Sequence, residues 1–231
     1  MNHQHRTNNM YSWVDKTRNF LAGQCLHQCK YCYVQNLCQR LEIIKKKYTG
    51  DIRLDEKAFY SLGKNKTWFI CSCNDLFAEG VPDEFIIKIL KFLENYPENE
   101  YLLQSKNPKR FCDFSEIPDN SILYTTIESN RDYPGISHAP KILQRLNAMI
   151  LLYALGYNTG ITIEPILDFD LIDLVEMIKP ANPAWVDIGA DSKNHGLPEP
   201  PYSKVLELIN ALKDFTRVRK KSNLERLKKI C

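Results

Sequence analysis

Cys25, Cys29 and Cys32 lie within the run Cys25-Leu26-His27-Gln28-Cys29-Lys30-Tyr31-Cys32, with the spacing C-x3-C-x-Tyr-C. Thiolates this close in sequence can wrap one compact metal centre, and thiolates are the ligands of both zinc and iron–sulfur clusters. A structural zinc needs a fourth ligand, for which His27 and Cys38 are the local candidates. A 4Fe–4S cluster held by only three cysteines keeps one iron open for a small molecule. Asp75, Lys106, Asp187, Asp191 and Asn194 form a second group, each at or just past the C-terminal end of an expected strand. Substrate binding is one reading of these five; helix capping and turn chemistry are the other. Asp187 is the hardest to dismiss, because a carboxylate on a barrel strand either faces the cavity or needs buried partners.

The elements that must position these residues follow from periodicity. Short runs, nearly unbroken in apolar character, predict strands at Arg18–Leu21, Thr67–Cys71, Tyr101–Gln104, Ile122–Ile127, Gly160–Ile163 and Trp185–Ile188. Helix-period segments fall between them at Val34–Lys47, Pro82–Tyr96, Lys141–Leu155, Leu171–Ile178 and Ser203–Phe215. In the second of these, Pro82 suits a first turn, and Asp83 and Glu84 complement the positive helix end. Phe85, Ile86, Ile89, Leu90 and Leu93 then make one apolar stripe. Strand–helix repeats in one constant order imply a parallel sheet covered by helices. Six repeats suggest an α/β single domain built as an open, partial (β/α)6 TIM-type barrel; a flat doubly wound sheet is the alternative. Residues 17–215 are expected to form that barrel, between a polar N-terminal extension (1–16) and a basic C-terminal extension (216–231).

Composition narrows the function classes. With 44% hydrophobic and 26% charged residues, the 231-residue chain is not a disordered one. It carries no G-x-x-x-x-G-K-[ST] and no G-x-G-x-x-G, which argues against a P-loop or a dinucleotide fold. No apolar run is long enough to span a membrane, and no leader is evident, so the eight cysteines read as cytoplasmic thiols or ligands. The net charge is +3, but from Lys213 to Cys231 eight basic residues face two acids, giving +6 there and leaving −3 on residues 1–212. A solvated helix face explains that cluster more readily than a nucleic-acid patch. His138 and His195 read as loop residues, His3 and His5 as part of a frayed terminus, and Cys38, Cys112 and Cys231 as incidental.

C-x3-C-x-aromatic-C in a loop after the first strand of a β/α protein resembles the signature of the radical S-adenosylmethionine (SAM) superfamily. The likeness continues through Cys71-Ser72-Cys73-Asn74-Asp75-Leu76-Phe77, Tyr101-Leu102-Leu103-Gln104-Ser105-Lys106, Thr125-Thr126-Ile127-Glu128-Ser129, Ile163-Glu164-Pro165 and Trp185-Val186-Asp187-Ile188-Gly189. These segments are similar to small phage-type members near the spore photoproduct lyase branch. The resemblance implies a 4Fe–4S cluster on Cys25, Cys29 and Cys32, SAM on the open iron, and Tyr31 beside the adenine. It also implies reductive cleavage of SAM to a 5′-deoxyadenosyl radical, with a flavodoxin- or ferredoxin-type electron donor. The second strand ends in Cys-Ser-Cys-Asn-Asp where the superfamily commonly has Gly-Gly-Glu, so Ser72 and Asn74 are the oxygen acceptors left for the methionyl ammonium. Glu128 and Ser129 are candidate ribose contacts, with Gln104 and Glu164 as further candidates for the same pocket. Cys71 and Cys73 alternate with Ser72 and are expected on one strand face. They either pack in the core or give a hydrogen atom to a product radical, as photoproduct lyases are thought to do.

A short barrel with acids at its mouth suits a compact, nitrogen-rich substrate, because one carboxylate can accept both N1–H and the exocyclic amine of a guanine-like base. That chemistry is similar to the queuine lyases of queuosine salvage, which release 7-aminomethyl-7-deazaguanine. On this reading Asp75, Asp187 or Asp191 faces the base edge, and Lys106 or Asn194 the cyclopentenediol. The alternatives are a DNA-repair lyase of the photoproduct type and a non-enzymatic metal-binding protein.

Overall fold

The structure is a computed structural model and describes residues 11–229. Seven strands form one sheet: β1 (Lys16–Arg18), then, after a small pair β2 (Leu21–Ala22) and β3 (Arg53–Leu54), β4 (Thr67–Ile70), β5 (Glu100–Gln104), β6 (Ser121–Thr126), β7 (Asn158–Ile163), β8 (Trp185–Ile188) and β9 (Arg217–Lys220). Their spatial order is β1-β4-β5-β6-β7-β8-β9, and every neighbouring pair is parallel. A doubly wound sheet reverses its strand order at a switch point. This order never reverses, so the crossovers keep one hand and the sheet curls as part of a barrel.

Six helices connect the strands: α1 (Tyr33–Arg40), α2 (Glu42–Lys47), α3 (Asp83–Glu94), α4 (Ile142–Ala154), α5 (Leu171–Ile178) and α6 (Tyr202–Leu212). The expected stripe of α3 is buried at Ile86, Ile89, Leu90 and Leu93, with Phe85 packed beside it. The expected helix over 34–47 is two helices, because Leu41 adopts an extended conformation between α1 and α2.

Three further expectations are corrected. The strand placed at 18–21 is split: β1 ends at Arg18, and Leu21–Ala22 leave the sheet to pair antiparallel with β3. The basic segment after 215 is not an extension, since Arg217–Lys220 form a seventh strand on β8. Residues 11–16 are not an extension either. Tyr11 and Val14 are buried on the concave side of the sheet with Phe69, Leu102, Ile122 and Tyr124, and Lys16 already belongs to β1. His3, His5 and Cys231 lie outside the described residues. Among the described residues no helix is long and apolar enough to cross a membrane.

Strand alternation separates two packing layers. Trp68 and Ile70 face the helices and join the large core, whereas Phe69 between them faces the barrel interior. Tyr124 fills that interior only because β7 carries a glycine opposite it. A Cβ on Gly160 would lie 2.1 Å from the Tyr124 ring. Gly160→Ala is therefore expected to destabilise the protein by about 1–3 kcal/mol through overpacking, measured by urea denaturation. A variant as stable as the parent would show that the ring has room to move.

Candidate functional site

The cysteine loop leaves β2 through Gly23, whose φ is +93°. A Cβ there would meet the Asp51 carbonyl oxygen at 2.1 Å, so only glycine permits this close approach. Gly23 N–H donates to the Lys47 carbonyl at 2.8 Å, and the buried Asn74 amide donates to the Gly23 carbonyl at 3.0 Å. Further along, His27 meets Asp75 at 2.7 Å, and the Lys106 backbone N–H donates to the same carboxylate oxygen at 2.6 Å. The other oxygen accepts from Phe77 N–H at 3.0 Å. Burial alone would raise the Asp75 carboxyl, but His27 and the donated N–H groups hold it below the usual carboxylate range. On its outer side the loop is tied to residues 136–138. Lys30 N–H donates to the Ile136 carbonyl, His138 N–H donates to the His27 carbonyl, and Cys29 Sγ lies 3.2 Å from Ser137 Oγ.

A second buried carboxylate sits beside this loop. Glu128, past β6, is only 4% exposed. One of its oxygens takes Lys106 Nζ at 2.8 Å and the Tyr31 hydroxyl, and the other takes Arg145 Nη1 of α4 at 2.9 Å. Lys106 Nζ also donates to the Tyr31 hydroxyl oxygen at 2.7 Å. Burial is the largest influence and would raise the Glu128 carboxyl, yet Lys106 and then Arg145 bring it down to about 2.

The thiols are not equivalent. Burial, with the Asp75 charge behind it, pushes the Cys25 thiol up to about 12, and burial also raises Cys32. Both of these thiols feel Cys29 electrostatically, so the three occupy one neighbourhood. Among the described residues no three His, Cys, Asp or Glu side chains converge to hold a single metal ion. His27, a candidate fourth zinc ligand, gives Nε2 to Asp75, and Cys38 stands half-buried on α1. Three cysteines held on one anchored loop do fit the thiolate donor set of an iron–sulfur cluster. Beside the loop, Asn74 Oδ1 is a buried acceptor with no donor among the described residues, which fits an ammonium group.

Cys71 and Cys73 do not share a strand face, because β4 stops at Ile70 and Cys71 turns with φ +56°. Cys71 is packed in the helix-side core, where burial pushes its thiol up to about 12. Cys73 is half-buried, 3.5 Å from the Tyr33 hydroxyl and within reach of Tyr48. Tyr33 spends its one proton on the Ser72 carbonyl at 2.9 Å, so Cys73 S–H is the donor in the thiol–phenol contact. The Ser72 hydroxyl donates to Asn19 Oδ1, which also accepts Cys73 N–H.

Several residues expected to face ligands are already committed. Asp187 is 2% exposed, accepts the Tyr124 hydroxyl at 3.0 Å and has Arg219 at 3.9 Å. Burial raises its carboxyl, partly offset by Lys221 and Arg219. Asp191 is buried and accepts from Lys193 N–H, His195 N–H and His195 Nδ1. Glu164 pairs with Lys221 and Asn223, and Ser129 donates to the Asp168 carbonyl. Gln104 lies between the Tyr11 hydroxyl and Thr126. Lys106 belongs with Tyr31 and Glu128 at the cysteine loop, not with a separate substrate group. Asn194 is exposed in a turn with φ +54°. Sequence reasoning did not find Arg145 and Tyr33, or the link in which Asn36 of α1 donates to His195 Nε2 at 2.9 Å. The C-x3-C motif ran on into Tyr33, which was a usable signal; the other two partners are distant in sequence and had none.

Glu128→Gln tests this arrangement. It is expected to cost about 3 kcal/mol at neutral pH, because two buried cations lose their counter-charge. Glu128 in the folded state titrates near 2, below an ordinary value of about 4.3. Its contribution is thus complete above about pH 4.3 and lost as pH falls through 2, so parent and variant should converge over that window in urea denaturation. A pH-independent difference would contradict the assignment.

No curated protein matches the sequence. Among solved structures, spore photoproduct lyase complexed with dinucleoside spore photoproduct matches with a TM-score of 0.60 and 13% identity, over 87% of this chain and 75% of that one. A cysteine-to-serine variant of spore photoproduct lyase matches with a TM-score of 0.64 and 12% identity, over 93% and 78%. Another variant, with bound AdoMet and dinucleoside spore photoproduct, matches with a TM-score of 0.54 and 12% identity, over 84% and 60%. This likeness shows a shared fold. Residues 8–196 match the family model described as "Protein of unknown function (DUF5131)", and the chain belongs to that family.

Proposed function

We propose that the protein is a radical SAM lyase, with a 4Fe–4S cluster on Cys25, Cys29 and Cys32 and SAM beside it. The observation that carries this reading is the anchored three-cysteine loop, set past the C-terminal ends of parallel strands, where such barrels hold their reactive centres. Cys25, Cys29 and Cys32 would hold the cluster, which, once reduced by a flavodoxin- or ferredoxin-type partner with SAM bound, would supply the chemistry of reductive SAM cleavage to a 5′-deoxyadenosyl radical.

This chain's residues then have distinct tasks. Asn74 Oδ1 offers an acceptor to the methionyl ammonium, with Ser72 at the same turn. Tyr31, Lys106 and Glu128 form one wall beside the cysteines, and Arg145 keeps that wall charged and fixed. Cys73, in contact with Tyr33, is the hydrogen-atom donor to a product radical; Cys71 is buried packing.

The substrate of this reading is a small nitrogen-rich base, queuine, cleaved to 7-aminomethyl-7-deazaguanine. Asp75, Asp187 and Asp191 are each engaged within the protein, so the base edge falls to amide and hydroxyl groups at the mouth, Asn194 among them. A second reading is a lyase of the photoproduct type. The shared fold and the Cys73–Tyr33 contact favour it. Against it, Arg219 and Lys221 of the basic segment turn toward Asp187 and Glu164 rather than toward a nucleic acid.

The test is anaerobic 5′-deoxyadenosine formation with reconstituted protein, SAM and dithionite. Queuine-dependent product, lost in Cys29→Ala, supports the first reading. Turnover only with dinucleoside photoproduct transfers the assignment to the second. Cys73→Ala is expected to keep SAM cleavage while losing the reduced product, and Cys71→Ala to keep both. A loaded cluster with no 5′-deoxyadenosine would overturn the enzyme assignment.

A further inference from the structure

The free edge of the sheet carries an arginine that the fold buries without a counter-ion. Arg18, the last residue of β1, is 5% exposed. Its guanidinium lies 3.6 Å from the centre of the Tyr60 ring and 4.9 Å from that of Trp68. Nη1 donates to two backbone carbonyls, Ala58 at 2.7 Å and Tyr60 at 3.0 Å. Among the described residues no carboxylate pairs with it, and the side chains against its guanidinium are the neutral Tyr60 and Trp68 rings. Burial lowers its basicity, as expected for an uncompensated cation.

The way Arg18 is held decides what it can bind. Nη1 is used up, and the guanidinium rests against two aromatic rings. The Nε and Nη2 edge, which presents parallel N–H donors to an oxyanion, has no protein acceptor among the described residues. Arg18 also lines a groove of about 570 Å³, within the roughly 300–1,000 Å³ range of small-ligand pockets. The groove adds Lys16, the hydroxyl-bearing Ser61 and the Trp68 side chain, and none of its lining residues is acidic. Lys16 Nζ lies 5.5 Å from the centre of the Trp68 ring, on the same indole that Arg18 covers. The Trp68 indole N–H is itself buried without an acceptor.

We propose that this groove binds a phosphate group, held by the Nε/Nη2 edge of Arg18 and the charge of Lys16, with the half-uncovered Tyr60 ring beside it. A phosphate supplies what the groove lacks: negative charge and several acceptor oxygens. A second charge-neutral explanation, that Arg18 only pins residues 58–60, accounts for Nη1 but leaves the free edge and Lys16 unused. The groove lies on the helix side of β1, as Trp68 does. It is therefore separate from the cysteine loop, and the inference is independent of the proposed reaction.

The test is titration of the full chain with inorganic phosphate, read by tryptophan fluorescence and by melting temperature. Sodium chloride of matched ionic strength serves as the control. A 5′-phosphorylated dinucleotide and the same dinucleotide without its 5′-phosphate make the second arm. Saturable binding of phosphate is expected. Lys16→Gln should weaken it roughly threefold, as for one exposed charge. Arg18→Lys should weaken it roughly tenfold or more, because it keeps the charge and loses the fork. Tighter binding of the phosphorylated dinucleotide would assign the source to nucleotides; equal binding would assign it to free phosphate. No saturable response beyond the chloride control in the parent protein would overturn the proposal. So would binding that Lys16→Gln and Arg18→Lys both leave unchanged while the variants remain folded.

Discussion

A buried carboxylate with 4% exposure cannot stay charged unless its surroundings are built around it, and Glu128 imposes that condition on four separate parts of the chain. Lys106 comes from the end of β5, Arg145 from α4, Tyr31 from the cysteine loop, and Glu128 itself from the end of β6. Each partner removed leaves an uncompensated charge or donor, so the group behaves as a unit. Asp75 repeats the arrangement two strands earlier, past β4, with His27. Lys106 joins the two: its backbone N–H serves Asp75 and its ammonium serves Glu128. Charge neutralisation beside the three cysteines thus acts together with the backbone bonds that anchor their loop.

The barrel has the opposite problem, an open side. Seven parallel strands in sequential order leave β1 and β9 as unpaired edges. Two devices close the gap. Low in the barrel, Tyr11 and Val14 pack against Phe69, Leu102 and Tyr124, and Lys221 of the opposite edge lies 3.8 Å from the centre of the Tyr11 ring. At the mouth, Asn36 of α1 donates to His195 Nε2, while His195 Nδ1 meets Asp191 at 2.6 Å. Since Asn36 supplies the proton to Nε2, the ring carries its own proton on Nδ1 and gives it to Asp191. A loop after β8 is in this way tied to the helix that follows the cysteines.

The sequence was most legible where a pattern is local and repeated. The apolar runs that became β4 to β8, the stripe of α3 and the C-x3-C-x-Tyr-C loop all declare themselves within a few residues. Less legible was anything decided by a distant partner. Arg217–Lys220 read as a solvated basic run because its pairing with β8, and the acids Asp187 and Glu164 that receive its charges, lie far back in the chain. The alternation Cys71-Ser72-Cys73 holds only if the strand continues, and it ends at Ile70. Leu41 interrupts an unbroken helical pattern without a proline or glycine to mark the place.

The same physics governs the acids at the strand ends. A carboxylate near a barrel mouth is half-desolvated before any ligand arrives, so the fold must satisfy it in advance. Asp75, Glu128, Glu164, Asp187 and Asp191 are all satisfied in this way, by cations, hydroxyls or backbone N–H groups. A ligand seeking one of them has to displace an existing partner and gains only the difference. Groups with spare capacity are the better candidates for recognition: the orphaned Asn74 Oδ1, the half-buried Cys73 thiol and the exposed Asn194. In a site assembled by charge neutralisation, the neutral polar groups are the ones left free to bind.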